Sequence, residues 1–138
     1  MKTEMKAELI ISGGCDFNPD RLNAIIGLTA DHIWHIDDAI GKSIRKRDSN
    51  AWVISTGYLP CISLRECIVA LLKKIESFEA KLRSVINSTV ETQFSIAIYV
   101  HETVPELNLS KDLLAKLVKF GASLDIDVIV LNEPTSQP

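Results

Sequence analysis

The sequence lacks the features that mark several large classes of protein. Its three cysteines, Cys15, Cys61 and Cys67, are an odd number and form no Cys-x-x-Cys pair. They therefore exclude a disulfide framework and a zinc ribbon, and they fit a reducing compartment. No segment approaches the roughly 20 apolar residues that cross a bilayer as a helix, and the apolar run near the start is too short for a signal peptide. We expect a cytoplasmic protein without a membrane segment.

An excess of one charge is also missing. Fifteen basic and 18 acidic residues give a net charge of −3, so nothing attracts the chain as a whole to nucleic acid or to an anionic membrane. A chain of 138 residues is the size of one domain and can bury its own core. We expect a single domain over residues 1–138, with an ordered core of about 7–131 and a polar tail over 132–138.

The clearest helix signal runs from about residue 63 to residue 87. Ser63 and Glu66 can form a capping box, in which each side chain accepts a hydrogen bond from the other residue's backbone N–H. Apolar residues then recur in alternating steps of four and three, which is the spacing of one buried side of a helix. The series consists of Leu64, Ile68, Leu71, Ile75, Phe78, Leu82 and Val85. We predict a helix that lies across a sheet, with Ile75 and Phe78 in the core.

The remaining pattern alternates between strands and shorter helices. Strands are predicted over residues 7–14, 32–36, 51–56, 92–100 and 123–131, and shorter helices over 18–27 and 109–121. In the fourth strand Phe94, Ile96, Ile98 and Val100 share one side, so one face of the sheet is buried and the other is partly polar. This order predicts an α+β sandwich of about five strands in a mixed, mostly antiparallel sheet, with helices on one face, ferredoxin-like βαβ units and one long central helix.

Several segments together resemble a known family. They are AELIISGGCDFNPDRLNAIIGL, a Trp followed by Asp-Asp, a second Trp that opens WVIST, FSIAIYV, and LSKDLLAKLVKFGASLDIDVIV. The family is the bacterial one catalogued as domain of unknown function 4279, and the resemblance covers about residues 7–130. Its most specific parts are LVKFGASLDIDV and the pair Trp34 and Trp52. Family members usually carry Gly-Asp where this chain has Asp37-Asp38.

The resemblance implies a small soluble bacterial protein and no particular reaction. Some small bacterial families of this kind serve as immunity proteins against toxins, which gives an analogy for this chain and nothing more specific.

The segment HIWHIDD raises the question of a metal site. In a strand, His32 and His35 would point to opposite faces because they lie three residues apart. A metal would also need a third and a fourth ligand, which only Asp37, Asp38 or His101 could supply through the tertiary fold. A strand edge anchored by the tryptophan is the better interpretation. We predict no metal site, and the role of the histidine pair stays open.

Two other segments suggest phosphate or nucleic-acid binding only weakly. The loop SGGCDFNPD lies between a strand and a helix, where phosphates bind, but it lacks a Gly-Lys-Ser/Thr ending, and Asp16 and Asp20 would repel the phosphate. No general base lies at a sequence spacing from Cys15 that would indicate an activated nucleophile, and the role of Cys15 stays open. The basic run KSIRKR is better interpreted as a solvated loop, because the net charge of the chain is negative.

Asp125 and Asp127 lie two residues apart in the last predicted strand, so both project from one face. Buried acids without partners would be costly, and we therefore expect this pair on the open face of the sheet, near Ser95 and Tyr99. They are either solvated acids that keep this face wet or carboxylates that do acid–base work or hold a divalent cation.

The sequence therefore favours a non-enzymatic module that binds an unidentified protein partner. The candidate binding residues are Trp34, Asp38, Trp52, Tyr99, Asp125 and Asp127. The alternative is a small enzyme or a divalent-cation-binding protein that uses Asp125 and Asp127 with Tyr99. No catalytic residue, metal ligand or cofactor is predicted, and we expect the partner to be neither nucleic acid nor membrane. The sequence leaves a homodimer open.

Overall fold

A computed structural model of the chain describes residues 3–60, 63–86 and 90–131. Five strands form one sheet: β1 (Glu4–Gly13), β2 (His32–Trp34), β3 (Asn50–Ser55), β4 (Val90–Val100) and β5 (Ser123–Val130). Three α-helices accompany the sheet: α1 (Leu64–Ile75), α2 (Glu79–Val85) and α3 (Lys111–Val118). The tail predicted over residues 132–138 lies outside the described residues.

The strands follow each other in the sheet in the order β2-β3-β1-β4-β5. The pairs β2–β3, β3–β1 and β1–β4 are antiparallel, and β4–β5 is parallel. The first four strands therefore have the ferredoxin-like arrangement, in which β3 and β4 run parallel on either side of β1 and the helices α1 and α2 connect them. A further crossover through α3 adds β5 at one edge. The predicted α+β fold with a mixed, mostly antiparallel sheet is confirmed.

The core fills the space between one face of the sheet and the helices. Every second residue of β4 from Phe94 to Val100 is buried, and on β1 the buried positions run from Met5 to Ile11. The register pairs Leu9 with Phe94, so the two apolar rows lie side by side under α1. Burial of each large aliphatic side chain contributes about 1.5–3 kcal/mol, which is the main reason why the helices pack on this face.

The long helical segment runs from Leu64 to Val85 with a 3-10 turn at Glu76–Phe78 between α1 and α2. Ser63 caps it, because its hydroxyl oxygen accepts a hydrogen bond from the Glu66 N–H at 3.2 Å. The end predicted near residue 87 lies outside the described ranges. No helix within these ranges is long and apolar enough to cross a membrane.

The 3-10 turn shifts the predicted buried side of this segment. Leu64, Ile68, Leu71, Ile75 and Leu82 are buried, as the spacing predicts. Phe78, which was also predicted in the core, is only partly buried and packs against the edge of the core. A 3-10 turn rotates each residue further than an α-helix does, which moves the ring from the centre of the buried side to its edge.

The first predicted helix, over residues 18–27, is instead a 3-10 turn at Pro19–Arg21 followed by a π-helical turn at Asn23–Gly27. Asn18 caps it through a hydrogen bond from the Asp20 N–H at 3.0 Å. Gly27, with a φ of +82°, ends it. Because a π-turn is wider than an α-turn, apolar residues three apart no longer share a side. Ile25 is therefore exposed, whereas Leu22 and Ile26 are buried.

An ion pair fastens the long helical segment to the end of β3. The Lys74 ammonium lies 3.1 Å from the Asp31 carboxylate and also donates to the Ser55 carbonyl. The same carboxylate oxygen of Asp31 accepts the Ser55 N–H at 2.7 Å. Desolvation pushes the pKa of Asp31 upward, but the hydrogen bonds from Ser55 and Lys74 outweigh it and hold the pKa below its usual value.

Candidate functional site

The candidate site is the face of the sheet that points away from the helical layer, which we call the open face. It carries the side chains that alternate with the buried rows of the strands. Its described members on the central and edge strands are Lys6, Glu8, His32, Trp34, Gln93, Ser95, Tyr99, Asp125 and Asp127. The two strands β1 and β4 run side by side for ten residue pairs. On β3, by contrast, the residues of this face, Ala51 and Val53, are fully buried.

The two acids of the last strand lie on the open face, as their spacing predicts. Asp125 is the neighbour of Ser95 and Asp127 is the neighbour of Ala97 in the parallel register. Both side chains are exposed. Ser95 is also the register neighbour of Glu8 on β1. A third carboxylate therefore lies on the open face, across β4 from Asp125.

An aromatic pair with a lysine lies next to these acids. The rings of Tyr58 and Tyr99 meet edge to face, with centroids 5.3 Å apart, and the Lys6 ammonium lies 4.8 Å from the centre of the Tyr58 ring. A hydrogen bond with Tyr58 raises the pKa of Tyr99, and the charge of Asp127 acts in the same direction. The sequence did not indicate Tyr58 as a site residue, because it lies outside the predicted strands. An antiparallel bridge between Leu59 and Met5 holds the segment in place.

A second aromatic–cation pair lies on the β2 side of the open face. The guanidinium of Arg47 stacks on the ring of Trp34 at 3.7 Å from its centre, a geometry in which the ring face attracts the cation. The two residues line a shallow groove together with Lys6, Glu8 and His32. Arg47 comes from the basic run that the sequence assigned to a solvated loop. The rest of that run is exposed, but this one residue is part of the open face.

Trp52 does not belong to the open face. It is the register neighbour of Ile33, whereas Trp34 is the neighbour of Ala51, so the two tryptophans project from opposite faces of the sheet. Trp52 is fully buried among the helices, and its indole N–H donates to the Asn23 side-chain oxygen at 2.8 Å. The sequence named both tryptophans as binding residues, and the structure leaves only Trp34 in a position to contact a partner.

Asp38 has a structural contact in the loop after β2. Its carboxylate accepts the His35 N–H at 2.7 Å, and its own N–H donates to the His35 carbonyl at 3.0 Å. Asp37, in the third position of this turn, has a φ of +74°, which is the conformation that favours glycine. This turn is therefore made with Asp-Asp, without a glycine at the position of positive φ.

The imidazole of His35 contacts two carboxylates. Its Nε2 lies 2.9 Å from Asp20 and its Nδ1 lies 3.6 Å from Asp38. The hydrogen bond with Asp20 is the main reason why the pKa of His35 is raised. His32 lies on the open face beside Val53. Among the residues that the structure describes, no group of three or more His, Cys, Asp or Glu side chains could hold a metal ion.

The glycine loop after β1 borders an acidic groove. Gly13, Gly14, Asp48 and Glu91 line this groove together with two serines. The negative side chains would repel a phosphate, in agreement with the sequence argument against phosphate binding. Cys15 is exposed in the turn that follows.

The last strand exposes its apolar side as well as its acids. All eight residues of β5 are exposed, and Leu124, Ile126, Val128 and Val130 have exposed fractions of 37, 38, 48 and 62%. These residues lie on the same side of the sheet as the helices. The helices therefore cover β1 and β4 but leave much of β5 open to solvent.

The comparison with family models gives one result. The model of the family described as Domain of unknown function (DUF4279) matches residues 3–131. No curated protein and no solved structure matches the chain.

Proposed function

This chain belongs to the DUF4279 family, and we propose that it is a non-enzymatic module that binds another protein through its open face. The observation that carries the proposal is the pair of aromatic–cation clusters on this face, Trp34 with Arg47 and Tyr58 with Lys6. Both clusters project from a sheet surface that none of the described helices covers.

The chemistry of the open face suits a protein partner. Trp, Tyr and Arg are the side chains that contribute most of the binding energy at protein interfaces. Stacking of Arg47 on Trp34 already fixes both side chains, so less conformational entropy is lost when a partner binds. Asp125 and Asp127 add charge at the rim, which acts on specificity and association rate.

The alternative is a small enzyme or a divalent-cation site at Asp125 and Asp127. Two acids on one strand face, with Tyr99 close enough for its pKa to be affected by Asp127, are the support for it. Both carboxylates are exposed on an edge strand, where water competes for a cation and screens the charges. We therefore rank this alternative second.

A bacterial immunity protein, which neutralises a toxin by binding it, would be one form of such a module acting in the cytoplasm. Its support is the analogy with other small bacterial families. A toxin gene beside the gene for this protein would support this form of the proposal.

Affinity capture from the native cell, followed by binding measurements with the purified partner, tests the proposal. The open-face variant carries Arg47→Ser and Tyr58→Ser, and a matched control carries Lys116→Ser and Lys119→Ser on the helical side. We expect a protein that the wild type and the control retain and the open-face variant loses, while circular dichroism shows all three folded. Equal retention by both variants would exclude the open face as the binding surface.

A further inference from the structure

The strand β5 has a row of backbone groups that no other described strand uses. It lies at the edge of the sheet and pairs there with β4 alone. The Leu131 N–H donates to the Val100 carbonyl at 3.0 Å, and the backbone groups of successive residues in a strand point in opposite directions. The N–H and C=O groups that point to the free edge are therefore those of Leu124, Ile126, Val128 and Val130.

The side chains of β5 divide into two rows of different chemistry. The row on the helical side is apolar and partly exposed from Leu124 to Val130. The row on the open face consists of Ser123, Asp125, Asp127 and Ile129, with the two acids at its centre. A strand added at this edge would therefore meet apolar side chains on one side and carboxylates on the other.

The surroundings of the two acids on the open face are mainly acidic. Across the sheet, Glu8 on β1 aligns with Asp125 and Lys6 aligns with Asp127. Glu4 aligns with Ile129, two residues further along β5. Lys6 lies 4.0 Å from Glu8. Four carboxylates thus share this part of the face with one ammonium, and the local charge favours a basic ligand.

The same acids disfavour a second copy of the chain as the occupant of the edge. Antiparallel pairing of two β5 strands centred on Ile126 would place Asp125 of each copy opposite Asp127 of the other. Centring on Asp127 would bring the two Asp127 carboxylates together. Like charges in directly opposed positions destabilise a strand pair, so the acids disfavour the two registers in which the middle of β5 pairs with itself.

We propose that β5 binds an extended segment of a partner protein, in which basic and apolar side chains alternate, as a sixth strand of the sheet. This inference rests on the proposed function and names the chemistry of the partner. In strand addition the main-chain hydrogen bonds supply affinity, and the alternating side chains supply specificity. The basic side chains of the segment would lie against Asp125 and Asp127, and its apolar side chains against Ile126 and Val128.

Fluorescence anisotropy with a labelled ten-residue peptide of alternating lysine and valine tests the inference on the full chain. Two peptides serve as comparisons: one alternates glutamate and valine, and the other has five lysines followed by five valines. We expect the alternating lysine–valine peptide to bind about tenfold more tightly than either, because only it matches both rows of β5.

Two variants locate the binding at the edge. Ile126→Pro removes an N–H that points to the free edge and spares the hydrogen bonds to β4, a position where an edge strand tolerates proline. Asp125→Lys combined with Asp127→Lys should reverse the preference, so that the glutamate–valine peptide binds more tightly. Asp16→Lys combined with Asp48→Lys makes the same change of charge away from β5 and should leave the preference unchanged. If the proline variant does not fold, the charge reversal decides alone.

Four results would overturn the inference. The first is equal binding of the three peptides, and the second is a preference that the reversal at Asp125 and Asp127 leaves unchanged. The third is a dimer in sedimentation experiments that Ile126→Pro dissociates, which would make a second copy the occupant. Fourth, if a captured partner needs Arg47 and Tyr58 but binds the β5 variants as well as the wild type, the proposed function stands and this inference fails.

Discussion

Trp34 and Trp52 lie on neighbouring strands of one sheet and project from its opposite faces. Trp52 is fully buried and hydrogen-bonded to Asn23, whereas Trp34 is partly exposed under the guanidinium of Arg47. One tryptophan therefore belongs to the core and the other to the candidate binding surface. Two substitutions of the same kind at these positions should have different effects.

We expect Trp52→Ala to lower the free energy of unfolding by about 3–5 kcal/mol, because it leaves a cavity in the core. Trp34→Ala should cost less than about 2 kcal/mol, since a partly exposed ring loses less burial. Urea denaturation of the two variants measures both values. Equal losses would mean that the two rings have equivalent surroundings, contrary to the structure.

A second pair of substitutions tests the 3-10 turn in the long helical segment. Ile75→Ala should cost about 2–5 kcal/mol, because Ile75 is fully buried. Phe78→Ala should cost less than Ile75→Ala despite its larger side chain, since the turn places the ring at the edge of the core. Chemical denaturation compares the two, and a larger loss for Phe78→Ala would indicate a continuous α-helix at this point.

The turn after β2 offers a stabilising substitution. Asp37→Gly should raise the free energy of unfolding by about 0.5 kcal/mol, because glycine adopts the positive φ of this position without steric cost. Asp38→Gly in the same turn should lower it by about 1 kcal/mol through loss of the hydrogen bond to the His35 N–H. Thermal denaturation of the two variants distinguishes them. A destabilising Asp37→Gly would show that the aspartate side chain holds the turn.

His35 should make the stability of the protein depend on pH. Its folded pKa is raised, mainly by the hydrogen bond with Asp20. The stabilisation is therefore fully present below the unfolded pKa of about 6.5 and is lost as the pH rises through the folded value. NMR titration of the imidazole should show a lower pKa in Asp20→Asn, and an unchanged titration would exclude Asp20 as the cause.

The sequence predicts the fold better than the site, for physical reasons that differ between elements. The alternation of Phe94 to Val100 directly encodes which face of β4 is buried. It says nothing about how strands pair, and a register shift of one residue would have put Trp52 on the open face. The contacts of Arg47 with Trp34 and of Tyr58 with Tyr99 depend on loops whose paths are set only by the complete fold.

The sequence also does not predict that the apolar side chains of β5 are exposed. Leu124, Ile126 and Val128 have the spacing of a buried strand face. Their burial depends on how far the helices extend over the edge of the sheet, and the local pattern does not contain this information. The position of β5 at the edge of the sheet, and with it the proposed site of strand addition, therefore follows only from the structure.

Amide hydrogen exchange along β5, followed residue by residue by NMR, tests the binding edge most directly. In the free protein the N–H groups of Asp127 and Ile129, which point to β4, should exchange slowly, and those of Ile126 and Val128 should exchange fast. Our account predicts that the alternating lysine–valine peptide slows exchange at Ile126 and Val128. Unchanged exchange at these two amides, with the peptide bound to the protein, would contradict it.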